Sequence, residues 1–403
     1  MNKMEIDIFV YLGIALLLSL LSSKLIKKFH LPNVTAYLIM GLLAGPYMFK
    51  LLPHEAIVSF EPISQIALGF IAFSIGSEFK FSYLKKVGKA PVVIAVLEAF
   101  MAVALVDIAL IATGHDLSFS LMLGAIAAAT APAATLMVVR QYKAKGPVTS
   151  TLMPVVAIDD AIALMLFGIS LAIVKTISST EEVSLLMTLL KPMADIAGAL
   201  LIGAVMGVAL TFLIKWFTGR GNRLSVTIAM VALTLGLSKY LGFSELLSCM
   251  ALSAVFVNFS STANSVFDQV ERFTPPIFMM FFFISGADLN IAILPSVGAV
   301  GLIYVVVRVL GKVFGATLGA TVCHCEEPVR KYLGFTLIPQ AGVAIGLASV
   351  AVDAVPAYGQ TIKVIILAAT VIYELVGPVA TKIALTKAGD IQPVLQEKLS
   401  TVA

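Results

Sequence analysis

Long apolar stretches recur along this chain, separated by short polar connections. On a bilayer-crossing length of about 20 mostly apolar residues, shorter where a helix is interrupted, about thirteen segments qualify. They run roughly over 7–27, 33–51, 62–78, 90–113, 118–140, 148–175, 191–217, 223–240, 243–259, 274–288, 294–321, 331–352 and 360–386. The pattern predicts an all-α membrane protein, because a helix satisfies its own backbone polar groups where no water can.

The connections alternate in charge. Of the 27 Lys and Arg residues, 19 fall in every second connection: Lys24/Lys27/Lys28, Lys80/Lys85/Lys86/Lys89, Arg140/Lys143/Lys145, Lys215/Arg220/Arg223, Arg272, Arg330/Lys331 and Lys382/Lys387/Lys398. The intervening connections hold Lys3, Lys50, Lys175, Lys191, Lys239 and Lys363, and Arg308 and Lys312 are left inside a span. The positive-inside rule then puts the N-terminus outside and the C-terminus in the cytoplasm.

Composition fits this class. The 403 residues are 60% hydrophobic and 12% charged, with a mean hydropathy of +1.02, whereas soluble domains carry about 25% charged residues. A multi-pass protein of the cell membrane is expected, with the lipid bilayer as its main partner. The net charge of +4 gives no sign of a nucleic-acid partner. Met1–Asp7 lacks a basic leader region and a small-residue cleavage site, so the first span is expected to be retained. Three cysteines give no disulfide framework. No glycine-rich phosphate loop or cofactor motif is present, so ATP-driven transport would need another subunit.

The two halves match at a constant offset of 210 residues: Leu31-Pro32 with Leu241-Gly242, residues 72–78 with residues 282–288, and Leu123-Gly124 with Leu333-Gly334. Seven spans separate equivalent positions. Seven is odd, so the second half would be inverted, a recurrent plan of secondary transporters with a midplane site. The expected organisation is one transmembrane domain over 1–403: a first repeat in 1–175, a linker helix in 176–222, a second repeat in 223–388 and a short cytoplasmic tail in 389–403.

The sixth span carries the strongest anomaly. Asp159 and Asp160 are the only charges between Lys145 and Lys175. A carboxylate at the bilayer centre costs at least about 2.5–3.5 kcal/mol, so two together need compensation. Successive residues on a helix point about 100° apart, which gives the two acids different surroundings. Arg308 and Lys312, at i and i+4 on one face of the eleventh span, are the candidate counter-charges. One aspartate paired to Lys312 leaves the other free to bind a cation or a proton. By offset Arg308 matches Glu98, and an ion pair between these two would be structural.

Two spans are interrupted. The fifth contains Thr130-Ala131-Pro132, and proline removes a backbone donor. The Thr130 hydroxyl and freed carbonyls there could ligate a small dehydrated cation; an ordinary proline kink is the plainer alternative. The twelfth has Pro339-Gln340-Ala341-Gly342 at the equivalent place, with Gln340 matching Thr130. Interruptions at matching repeat positions point to a binding site. Glu374 is a further intramembrane acid, structural or gating. The run Cys323-His324-Cys325-Glu326-Glu327 is too compact for a metal centre and reads as a solvated loop.

These residues resemble the cation:proton antiporter-2 family of sodium/proton exchangers over nearly the whole chain. The Asp159-Asp160 pair, the Thr130-Ala131-Pro132 break, Lys312 within Gly311-Lys312-Val313-Phe314-Gly315 and the segment Phe283-Ile284-Ser285-Gly286 carry the resemblance. The aspartate pair with the later lysine is similar to the electrogenic, NapA-like branch. The resemblance implies that Asp160 carries the ion or proton, that Asp159 pairs with Lys312, and that the protein works as a homodimer through an elevator motion of a core domain. It also implies a secondary antiporter, not an enzyme, exchanging protons for Na+ or Li+, with K+ as the alternative. Two departures stand out. Many relatives have an Arg-Gly-Glu sequence where this chain has Pro339-Gln340-Ala341-Gly342, and glutathione-gated relatives carry a C-terminal nucleotide-binding domain where this sequence runs only to residue 403 after its last span at 360–386, so gating of that kind is expected to need a separate regulatory subunit. An intramembrane aspartyl protease is disfavoured because its aspartates sit on separate helices. A cation channel and a Na+-coupled organic-anion carrier are the other rivals.

Overall fold

The computed structural model describes residues 7–391 apart from 30, 78, 82–87, 179–184, 292–294 and 296. Lys3, Glu78, Lys85, Lys86 and the tail beyond residue 391, with Lys398, lie outside the described residues. Among the described residues the chain is helical, with no strand. The helices are α1 (Ile8–Lys27), α2 (Asn33–Ala44), α3 (His54–Ser59), α4 (Glu61–Gly76), α5 (Ala90–Ala112), α6 (Leu117–Ala127), α7 (Pro132–Gln141), α8 (Pro147–Ser178) and α9 (Leu185–Trp216). They continue as α10 (Arg220–Leu241), α11 (Glu245–Phe259), α12 (Ala263–Phe273), α13 (Pro275–Asp288), α14 (Gly298–Val322), α15 (Glu327–Thr336), α16 (Gly342–Ala354) and α17 (Gly359–Lys387).

Among the described residues eight helical stretches are long and apolar enough to cross a bilayer, counting α6 and α7 as one. Large apolar side chains on α1, α9 and α10, such as Leu17, Leu201, Phe212 and Leu233, face outward. This is expected where the solvent is hydrocarbon. The second apolar segment ends earlier than the hydropathy pattern suggests, because Gly45-Pro46 stops α2 at Ala44. Two short helices escape a search for apolar runs. α3 is a single polar-faced piece, and α12 buries only Ala263, Val266 and Val270. That i, i+3, i+7 spacing marks an amphipathic helix.

Glycines set the closest helix contacts. On α14, Gly311, Gly315 and Gly319 stack against Ala102, Glu98 and Ile94 of the antiparallel α5. A Cβ on Gly315 would lie 2.5 Å from Glu98 Cα. This small-residue ladder lets the two backbones approach closely, as membrane helix pairs require, and brings Lys312 beside Glu98. Both interrupted segments then cross each other. α6 stops at Ala127 and α7 restarts at Pro132, whose missing N–H is harmless at a first helical position. α15 stops at Thr336 and α16 restarts at Gly342. The extended pieces touch where Ala131 N donates to Pro339 O at 2.8 Å.

Candidate functional site

At the crossing, the ends of α6 and α15 leave backbone carbonyls without helical partners. Cationic side chains from α14 meet them. Arg308 is fully buried and donates from Nε to Ala127 O (3.0 Å), from Nη1 to Ile338 O (2.8 Å) and from Nη2 to Ala129 O (2.7 Å). Its guanidinium also lies over the Tyr373 ring, 4.6 Å from the centroid. The expected Glu98–Arg308 pair therefore does not form. One turn along α14, Glu98 meets Lys312 instead, because the glycine ladder sets Lys312 against α5 and leaves Arg308 facing the breaks. Positive charge at helix C-termini is favourable, which is why an arginine is tolerated here without a carboxylate.

Lys312 is also fully buried and serves four partners. Its ammonium forms ion pairs with Glu98 Oε2 at 2.7 Å and Asp159 Oδ2 at 3.1 Å. It donates to Thr130 Oγ1 at 2.8 Å and to the Ala128 carbonyl. The Glu98 contact is an ion pair without hydrogen-bond geometry. The Thr130 hydroxyl thus accepts from Lys312. Gln340 takes a neutral role: Nε2 donates to Ile126 O at 2.9 Å, and Oε1 accepts from Tyr304 Oη at 3.1 Å.

Asp160 stands apart from this network. It is 5% exposed, and neither of its carboxylate oxygens has a hydrogen-bond partner among the described residues. It lines a cavity of about 650 Å3 together with Thr130, Pro132, Pro339 and Glu374. Pro132, Ala133 and Ala134 at the start of α7 and Gly342, Val343 and Ile345 at the start of α16 also line it, so two positive helix ends border the cavity. Among the described residues the lining acids are Asp160, Glu245, Asp288 and Glu374, and no lysine or arginine lines the cavity. Among the described residues no His, Cys, Asp or Glu cluster could hold a metal ion. Cys323 and Cys325 lie at the far end of α14, away from the site.

One residue had no sequence signal. Asp390 is buried, and its Oδ2 accepts from Thr149 N (2.6 Å) and Thr149 Oγ1 (2.7 Å). It caps the N-terminus of α8, the helix that carries Asp159 and Asp160, from the opposite end of the chain. A Cβ at Gly146 would overlap that carboxylate.

Comparisons with known proteins agree with the architecture. The profile of the family described as "Sodium/hydrogen exchanger, transmembrane" matches residues 12–387. The ammonium/H+ antiporter subunit AmhT of Alkalihalophilus pseudofirmus is 22% identical over 92% of this chain and 93% of its own length. The Na+/H+-K+ antiporter GerN of Bacillus cereus is 21% identical over 86% and 88%. The sodium proton antiporter MjNhaP1 of Methanocaldococcus jannaschii shares the fold, with a TM-score of 0.69 over 98% of each chain at 21% identity. A helical membrane chain matched to this family from end to end is a transporter rather than an enzyme, and it belongs to the sodium/hydrogen exchangers, within the cation:proton antiporters.

Proposed function

We propose that this chain exchanges protons for monovalent cations, Na+ or Li+ with K+ as the alternative, at Asp160. One observation carries the reading: a buried carboxylate with both oxygens unpartnered, on the wall of an acid-lined cavity. Such a group is satisfied by a proton or by a cation, and competition for it couples the two fluxes. Thr130 and Pro132 line the same cavity; the freed carbonyls of Ala127, Ala128 and Ala129 are taken by Arg308 and Lys312, so the oxygens offered to a transported Na+ are those of Asp160 and the Thr130 hydroxyl. Asp159, held by Lys312, fixes the position of its neighbour Asp160. Glu98, Arg308 and Gln340 serve as structure around it.

The arrangement also supports a wider reading. The eight long stretches and five shorter apolar helices give a thirteen-span protein if all of them cross. Helix starts at 8, 33, 61, 90, 117, 132 and 147 recur at 220, 245, 275, 298, 327, 342 and 359, with α9 left between, as two inverted repeats and a linker would. Tyr47, Ser244 and Asp288, just after α2, just before α11 and at the end of α13, line the cavity, and the 46% exposure of Tyr47 supports an opening at that end. With the N-terminus outside, this is an outward-facing state. At the other end, Asn258 closes α11 onto the chain after α4, accepting from Phe81 N and donating to Phe79 O. Alternating access then moves α4–α8 and α13–α17 against the remaining helices, in a homodimer and with charge moved in each cycle. A separate cytoplasmic regulatory subunit fits the same scheme.

The test is exchange in proteoliposomes. Asp160→Asn abolishes cation-driven proton movement, and full exchange by that variant would sink the assignment. Reversal potentials with Na+, Li+ and K+ identify the ion and the stoichiometry. The names of the relatives include ammonium, so NH4+ belongs in the same series.

A further inference from the structure

We infer that Thr370 and Glu374 form a second cation station on the wall of the cavity that holds Asp160. The proposal rests on the antiport reading above and extends it. The two residues stand at i and i+4 on α17, so they share one helix face. Both are buried, at 2% and 6% exposure, and both line the cavity. Thr370 Oγ1 and Glu374 Oε2 have no hydrogen-bond partner among the described residues.

The threonine is unusual within its own fold. Helical threonines here commonly turn the hydroxyl back onto the carbonyl four residues earlier, as Thr211, Thr227, Thr234 and Thr386 do. Thr370 does not. Thr35, Thr274 and Thr381 also lack a partner, but none of them lines the cavity. Glu374 has one carboxylate oxygen, Oε2, without a partner among the described residues. Among the described residues its carboxylate enters no ion pair. The two buried cations are engaged elsewhere: Lys312 with Glu98 and Asp159, and Arg308 with three carbonyls and the ring of Tyr373.

Buried polar atoms left without partners are costly, and a buried carboxylate more so. One hydroxyl and one carboxylate on one face, both on the wall of the cavity of about 650 Å3, are hard oxygen donors of the kind that bind hard cations. The ligand class is a partly dehydrated monovalent cation. Asp160 and this pair lie on one cavity, so a cation can occupy one station while a proton occupies the other.

Equilibrium binding tests this on the purified full-length protein, with 22Na+ and, in parallel, 86Rb+ as probes. Asp160→Asn keeps saturable binding of the transported ion. Adding Glu374→Gln or Thr370→Val to it lowers the remaining affinity by about tenfold or more, while Asp160→Asn/Glu374→Asp retains it. Melting temperature and gel-filtration profile show that each variant is folded. If Asp160→Asn alone removes all saturable binding from a folded protein whose wild type binds, the second station does not exist, and the antiport reading stands. If binding by the double variants equals that of Asp160→Asn, the station lies elsewhere and the assignment falls. Wild-type protein that neither binds nor exchanges any monovalent cation overturns the antiport reading and the station with it.

Discussion

Replacing Lys312 with methionine isolates the energetics of the buried charge cluster. The ammonium lies 2.7 Å from Glu98 and 3.1 Å from Asp159, with all three side chains at zero exposure. At an effective dielectric of about 20 these contacts are worth about 6 and about 5 kcal/mol. The loss cannot reach that sum, because the attraction is largely offset by the cost of taking the charges out of water. Removing the lysine also removes its own desolvation penalty. The net destabilisation is therefore about 3–5 kcal/mol, the range for a buried pair broken from one side. Reversible unfolding in mixed micelles, titrated with denaturing detergent, reads this directly. Glu98→Gln added to Lys312→Met restores part of the loss, since one of the two stranded charges is gone. If Lys312→Met unfolds within about 1 kcal/mol of wild type, or if the added Glu98→Gln gives no recovery, the cluster is not the electrostatic keystone its distances imply.

Further outcomes follow from other contacts. Gly315→Leu drives a side chain into the α5 backbone at Glu98, so the variant loses at least about 2 kcal/mol of stability in the same titration and proteoliposome exchange falls with it. Asp390→Ala strips two hydrogen bonds from the start of α8 and lowers stability by about 2 kcal/mol, whereas Asp390→Asn recovers part of the loss. Glu327 pairs at 2.5 Å with the exposed Lys331, which holds its carboxyl below the usual range. The folded value is the lower one, so the contribution is present at neutral pH and is lost as pH falls through it, below about 4.3. Thermal melts of Glu327→Gln match wild type at acid pH and differ little even at pH 7, because exposed pairs are weak.

The sequence made the intramembrane charges and the two interruptions visible because lipid makes each of them expensive. Asp159, Asp160, Lys312, Thr130 and Gln340 are brought into one neighbourhood by the crossing. The partner of Glu98 was not legible. An offset pairs columns of residues, and it cannot say which of two cations one turn apart faces α5; the Gly311–Gly315–Gly319 ladder decides that. The Asp390 cap was invisible for another reason. It joins Thr149 across 241 positions, and an aspartate after a final helix looks like any tail residue. α12 was missed because its period is amphipathic and the search was for apolar runs.

Arg308 has a mechanical consequence. Its three donors reach both interruptions at once, two on the fifth span and one on the twelfth. With Ala131 bonded to Pro339, the two breaks lose their independence and behave as one stiff knot. In the exchange proposed above, a stiff knot would not widen for a larger ion, so size discrimination would be fixed in its dimensions rather than negotiated at each encounter. Nor would it bend to let an ion through: the proposed cycle would carry the knot whole, with the deformation taken up by the connections around it.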